Sequence, residues 1–73
     1  MSDCKMIQVQ SSNIEEIGYS DDSKLLVRFK GGKVYEYADV PADLFNEFRA
    51  AQSVGSFFHK NILGKFETAT VEG

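Results

Sequence analysis

The stretch KLLVRFKGGKVYEYADVP, residues 24–41, constrains the fold of this chain more than any other segment. Ahead of its two glycines, apolar residues occupy every second position, at Leu25, Val27 and Phe29. This alternation is typical of a half-buried strand, and a second alternating run follows the glycines. Gly31 and Gly32 can adopt the positive φ angles of a primed hairpin turn. The sequence therefore predicts an antiparallel hairpin closed at the glycine pair.

Two further strands are predicted ahead of the hairpin. Residues 6–10, MIQVQ, alternate so that Ile7 and Val9 point inward. Residues 14–20, IEEIGYS, place Ile17 and Tyr19 on one side of a second strand. The intervening SSN has side chains that compete for backbone hydrogen bonds and so favours a loop.

Helical spacing begins after the hairpin. Pro41 suits the first helical position, and an apolar stripe follows at Leu44, Phe45, Phe48 and Ala51. Ser53 is predicted to cap a second helix, which ends at Gly64 in a C′ position. The predicted fold class is α+β, with a small antiparallel sheet of three or four strands followed by two short helices packed on one face. We expect a flexible N-terminus over residues 1–5, one domain over 6–64, and a flexible or weakly ordered tail over 65–73, with an edge strand in the tail as the alternative.

Composition limits the classes of function. Because 42% of the residues are hydrophobic, we expect one folded domain. The net charge of −3 disfavours non-specific binding to nucleic acids. Cys4 is the single cysteine and cannot form an internal disulfide, which favours a reducing cytosol. No apolar run is long enough for a membrane span, and the N-terminus lacks the apolar core of a signal peptide. We therefore expect a soluble, cytoplasmic monomer without membrane association.

The sequence offers few groups for catalysis. His59 is the only histidine, and its pairing with Cys4 would require the N-terminus to dock on the second helix. Carboxylates also occur in pairs, but Asp21 and Asp22 fit a turn, and Asp43 and Glu47 fit the solvated face of a helix. We predict no enzymatic activity, no metal and no cofactor, and keep an enzyme using Cys4 or His59 as an alternative.

Half of the lysines and arginines lie on the hairpin, at Lys24, Arg28, Lys30 and Lys33. They could form a positive strip that meets phosphates or an acidic protein surface. Lysines that protect a sheet edge from strand-to-strand aggregation are the alternative interpretation.

Tyr35 and Tyr37 share one side of the second hairpin strand. They could belong to the core with their hydroxyls directed to water, or form a platform that stacks single-stranded bases. Their orientation depends on the strand register, which the sequence leaves open.

Residues 9–62 resemble the KTSC domain, which occurs alone in bacterial and phage proteins and at the C-terminus of some lysyl-tRNA synthetases. The resemblance rests on Ser12-Asn13-Ile14, Gly18-Tyr19, Tyr35-x-Tyr37, Val40-Pro41, and Ser53-x-Gly55 ahead of Phe58 and Ile62. His59 departs from the Asn that family members often carry, and the stretch after Gly64 departs from their aromatic ending. The resemblance implies a non-enzymatic module, with RNA binding suggested by the synthetase context.

The chain is also similar to a small phage-encoded transcription regulator that binds bacterial RNA polymerase and displaces the sigma factor. This similarity implies a cytoplasmic inhibitor of transcription initiation that acts by protein contact. We predict that such contact would use the basic residues Lys5, Lys24, Arg28, Lys30 and Lys33. The alternative is an RNA-binding accessory module of the KTSC type, in which Tyr35 and Tyr37 stack on bases.

Overall fold

The chain folds into a five-stranded antiparallel sheet and two helices, which lie between the fourth and fifth strands in the sequence. The computed structural model describes residues 5–72, and the side chains of residues 6–71. The elements in chain order are β1 (Lys5–Gln8), β2 (Ile14–Tyr19), β3 (Leu25–Phe29), β4 (Val34–Tyr37), α1 (Ala42–Ala50), α2 (Val54–Asn61) and β5 (Thr68–Glu72). The strands lie in the order β1-β2-β3-β4-β5. The predicted α+β class is confirmed, and the edge strand considered for the tail is the fifth strand.

The β3–β4 hairpin closes through a loop of three residues. The N–H of Phe29 donates to the carbonyl of Lys33 at 2.8 Å, and the N–H of Gly32 donates to the carbonyl of Phe29 at 2.9 Å. Gly32 has a φ of +97°, whereas Gly31 does not have a positive φ. The prediction of a two-residue primed turn was therefore wrong. The loop has three residues, and a loop of this length needs only its last residue in the left-handed region.

The strand register directs the tyrosine pair toward the helices. Leu25 lies opposite Tyr37 and Val27 lies opposite Tyr35, while Ile17 pairs with Val27 on the other side. Because opposite residues of an antiparallel pair share a face, these five side chains lie on the helix-covered face of the sheet. Tyr37 is 3% exposed and belongs to the hydrophobic core, whereas Tyr35 is half-buried at its border.

The Phe58 ring of α2 contacts both the sheet and α1. It meets Phe29 and Tyr37 of the sheet edge-on, with ring centroids 5.6 and 5.7 Å apart. Its centroid lies 6.4 Å from that of Phe48 in α1. Edge-to-face contacts of this kind add to the free energy that burial of the rings provides.

Strand β1 is less buried than its alternation predicts. Ile7 lies opposite Ile17 and so faces the covered side, but it stays 37% exposed. Val9, beyond the end of the strand, is half-buried against the core. Both residues face inward as expected, and Ile7 is more exposed because β1 is an edge strand of the sheet.

The helix boundaries differ from the predicted ones by one residue at two positions. Pro41 is the N-cap of α1, with φ −65° and an extended ψ, so Ala42 is the first helical residue. Ser53 caps α2 as predicted, since its Oγ accepts a hydrogen bond from the Ser56 N–H at 3.3 Å. Gly64 has a φ of +76° but lies two residues beyond the C-cap Ile62, not one.

The opposite face of the sheet carries cross-strand ion pairs. Arg28 Nε lies 3.1 Å from Glu16 Oε1, and Lys24 Nζ lies 3.8 Å from Glu36 Oε1. We call this side the open face of the sheet, because both described helices pack on the other side.

No helix of the described residues is long and apolar enough to cross a membrane.

Tyr19 ties β2 to the segment that leads into α1. Its ring stacks on Phe45 with centroids 5.1 Å apart, and its hydroxyl donates to the Val40 carbonyl at 2.5 Å. Val40 is fully buried, so its carbonyl depends on this donor. The contact fixes the point at which the chain leaves the sheet.

We predict that Tyr19→Phe lowers the free energy of unfolding by about 1–2 kcal/mol, because a buried carbonyl loses its hydrogen bond. Urea unfolding of the variant measures this loss. Tyr35→Phe is the matched control, since the Tyr35 hydroxyl makes no hydrogen bond within the described part of the chain. Equal losses for both variants would contradict the role given to the Tyr19 hydroxyl.

Candidate functional site

A cleft of about 640 Å³ opens where the hairpin loop, the β1–β2 loop and α2 meet. Its floor is formed by Phe29, Tyr35, Tyr37 and Phe58. Its rim is formed by Ser12, Asn13, Lys30, Gly55, His59 and Leu63, with Thr68 on the β5 side. Leu63 is 49% exposed and forms an apolar lip. We call this the aromatic cleft; its size and largely apolar lining are typical of a small-ligand site.

Tyr37 presents a polar group on the apolar floor. Its hydroxyl makes no hydrogen bond within the described part of the chain, yet no buried side-chain polar atom there lacks a partner. The hydroxyl therefore opens to the cleft. Burial, with a smaller contribution from the neighbouring Tyr35 phenol, raises the pKa of Tyr37 to about 12. Like any tyrosine, Tyr37 is neutral at neutral pH, so its hydroxyl can donate a hydrogen bond.

Tyr35 is the tyrosine with an accessible ring. It is half-buried, and its ring meets that of Phe29 edge-on with centroids 5.5 Å apart. Tyr37, in contrast, is too buried for its ring face to be an open platform. The structure thus separates the two tyrosines that the sequence treats as a pair.

The four basic hairpin residues are not gathered into one strip. Lys24 and Arg28 lie on the open face and form ion pairs with Glu36 and Glu16. Lys30 lines the aromatic cleft, and Lys33 is exposed beside it at the end of the loop. The Lys5 side chain lies outside the described side chains.

A second cleft of about 370 Å³ adjoins the first along the β1–β2 loop and α2. Most of its lining is polar, and it includes Ser11, Gln52, Ser56 and Lys60. We call it the polar cleft. Among the described side chains of residues 6–71, no aspartate or glutamate lines either cleft. In a protein of net charge −3, both clefts are therefore local regions that suit an anionic ligand.

His59 is exposed and lies at the boundary of the two clefts. Its predicted alternative partner Cys4 falls outside the described residues. Among residues 5–72, no group of three or more histidine, cysteine, aspartate or glutamate side chains comes close enough to hold a metal ion.

Several site residues were not singled out as functional by sequence reasoning. Asn13, Gly55, Leu63, Thr68 and Lys60 reach the clefts from segments that are far apart in the chain. The available signal was the resemblance itself, since seven of its marker residues line the aromatic cleft: Ser12, Asn13, Ile14, Tyr35, Tyr37, Gly55 and Phe58.

We predict that alkaline titration followed by tyrosinate absorbance contains a step at about pH 12 that Tyr37→Phe removes. The folded-state pKa lies above the unfolded value of about 10. The resulting stability is therefore complete below about pH 10 and is lost as the pH rises toward 12. Urea unfolding above and below pH 10 checks this loss. If Tyr37→Phe instead removed a step near pH 10, the pKa of Tyr37 would be that of an exposed tyrosine, and the effect assigned to burial would be contradicted.

Three comparisons relate the chain to known proteins. A family model described as the KTSC domain matches residues 10–66. A protein of Tsukamurella paurometabola is 36% identical over 67 residues, which are 90% of this chain and 100% of that protein. A lysine–tRNA ligase of Trichormus variabilis is 38% identical over 63 residues, which are 85% of this chain but 11% of the ligase.

A solved structure agrees with these sequence matches. The crystal structure of a KTSC domain protein from Yersinia pestis superposes with a TM-score of 0.89 at 35% identity, covering 94% of this chain and 99% of that chain. The match of the family model covers β2, β3, β4 and both helices. This chain belongs to the KTSC domain family.

Proposed function

We propose that this domain is an RNA-binding accessory module that acts by binding alone and takes an unpaired base into the aromatic cleft. The observation that carries the proposal is the lining of that cleft. It combines an aromatic floor with Lys30 and includes no carboxylate from the described side chains, although the protein as a whole is acidic. Aromatic surfaces beside cations are the usual means by which proteins hold single-stranded nucleic acids.

The floor offers two kinds of contact to a base. The half-buried ring of Tyr35 can stack on the face of the base, because every base presents a π surface. The neutral hydroxyl of Tyr37 and the amide of Asn13 can form hydrogen bonds with its edge. In this arrangement the two tyrosines have different tasks, in place of the shared platform predicted from the sequence.

The relatives support RNA as the ligand class. The region similar to this chain occupies about a tenth of a lysine–tRNA ligase, an enzyme whose name states that it acts on tRNA. A base-binding domain attached to such an enzyme would add RNA contacts without altering the reaction. This support is by association, since fold alone does not define function.

Binding to bacterial RNA polymerase stays a prediction. Of its five predicted contact residues, Lys24 and Arg28 are occupied in ion pairs on the open face, while Lys30 and Lys33 lie at the hairpin loop. A titration of the labelled protein with the polymerase, parallel to one with RNA, tests it. Line broadening with the polymerase and none with RNA would favour the transcription inhibitor over the RNA-binding module.

We predict that Tyr35→Leu weakens binding of a short oligouridylate about five- to a hundredfold, because stacking contributes about 1–3 kcal/mol per base. Fluorescence anisotropy of labelled RNA measures the affinity. Leucine retains apolar volume at the border of the core, which limits the loss of stability. Tyr35→Phe keeps the ring and should bind like the wild type. The proposal fails if Tyr35→Leu and Tyr35→Phe bind equally well.

We also predict that Lys30→Gln makes the dependence of log affinity on log salt shallower by about 0.7, the value for one phosphate contact on a single strand. Lys24→Gln is the matched control, because it removes the same charge from the open face. Anisotropy titrations at several salt concentrations give both slopes. If the two variants change the slope equally, the effect comes from net charge and not from a contact in the cleft.

A further inference from the structure

The aromatic cleft and the polar cleft are adjacent. Four residues line both of them: Ser12, Asn13, Gly55 and His59. The first two come from the β1–β2 loop and the last two from α2, so the boundary between the clefts lies where these segments meet. A ligand on the aromatic floor that extends across this boundary reaches the polar cleft.

The polar cleft has the chemistry of a site for a phosphate group. Lys60 and His59 are its basic residues within the described part of the chain, and no carboxylate of residues 6–71 lines it. Side chains with hydroxyl or amide donors make up most of the remainder: Gln10, Ser11, Ser12, Asn13, Gln52 and Ser56. Uncharged donors around one lysine suit a single phosphate, because each oxygen accepts several hydrogen bonds.

Gly55 lies at the boundary of the two clefts. It is the second residue of α2 and is half-buried, although glycine is a poorer helix former than any residue except proline. A Cβ atom at this position would lie 3.3 Å from Ser11 Oγ in the β1–β2 loop. The close approach of loop and helix explains why a residue without a side chain stands at the junction.

We propose that the polar cleft binds the phosphate next to the base that occupies the aromatic cleft, so that the two clefts together hold one nucleotide unit of a single strand. This inference rests on the proposed RNA-binding function. It assigns Lys60 to the phosphate inside the cleft and leaves Lys30 and Lys33 for neighbouring phosphates outside it. The module then recognises a base together with its backbone linkage, and a base alone fills only part of the site.

The test is an NMR titration of the isotope-labelled full chain with uridine, with uridine monophosphates and with oligouridylate. Uridine should shift amides of the hairpin and of α2 around the aromatic cleft. The monophosphates should additionally shift the amides of residues 52–56 and Lys60. Lys60→Gln should remove only the second set of shifts and make the salt dependence for oligouridylate shallower by about 0.7.

Two further variants sharpen the result. Lys65→Gln removes an exposed lysine that lines neither cleft and should respond like the wild type. Gly55→Ala adds a methyl group about 3.3 Å from Ser11 Oγ at the boundary of the clefts and should weaken the response of residues 52–56 to the monophosphates while uridine still binds. Urea unfolding of each variant confirms that it is folded.

The outcomes separate this inference from the function on which it rests. Identical shifts with uridine and its monophosphates, or equal effects of Lys60→Gln and Lys65→Gln, would overturn the two-cleft site while the RNA-binding module stands. The absence of any response to oligouridylate would contradict both the two-cleft site and the RNA-binding function.

Discussion

The packing of the Phe58 ring against Phe29, Tyr37 and Phe48 is the contact on which the rest of the structure depends. It joins the hairpin, α1 and α2 at one point, and removal of such a ring from a core costs about 3–5 kcal/mol, a large part of the stability of a small domain. The same ring forms part of the floor of the aromatic cleft. The aromatic cleft, the proposed ligand site, is therefore the outer surface of the core, and the interaction that stabilises the fold also maintains the shape of the cleft.

Much of the fold could be predicted because its periodicities are strong. The alternation of Leu25, Val27 and Phe29 and the capping residue Ser53 have direct physical consequences for the local backbone. Strand β5 was harder to predict, because its residues Thr68, Ala69, Thr70 and Val71 are all exposed and leave no alternating pattern of burial. Its position is determined by the free edge of β4, which is a property of the tertiary structure.

The candidate site could be predicted only in part for a similar reason. Tyr35 and Tyr37 stand out in the sequence, but the period of two that places them on one face does not say which ring is buried. Their difference arises from α2, whose Phe58 covers Tyr37. The contributions of Asn13 and Gly55 depend on the contact between a loop and a helix that are far apart in the chain, so no local pattern indicates them.

The order of the strands has a consequence for the folding of the chain. Each of the first four strands pairs with its neighbour in sequence, whereas the pairing of β4 with β5 spans both helices. The outer edge of β4 therefore has no partner strand until β5 docks, and exposed strand edges favour pairing with other chains. A folding chain in which the first four strands have paired but β5 has not is thus open to aggregation through this edge.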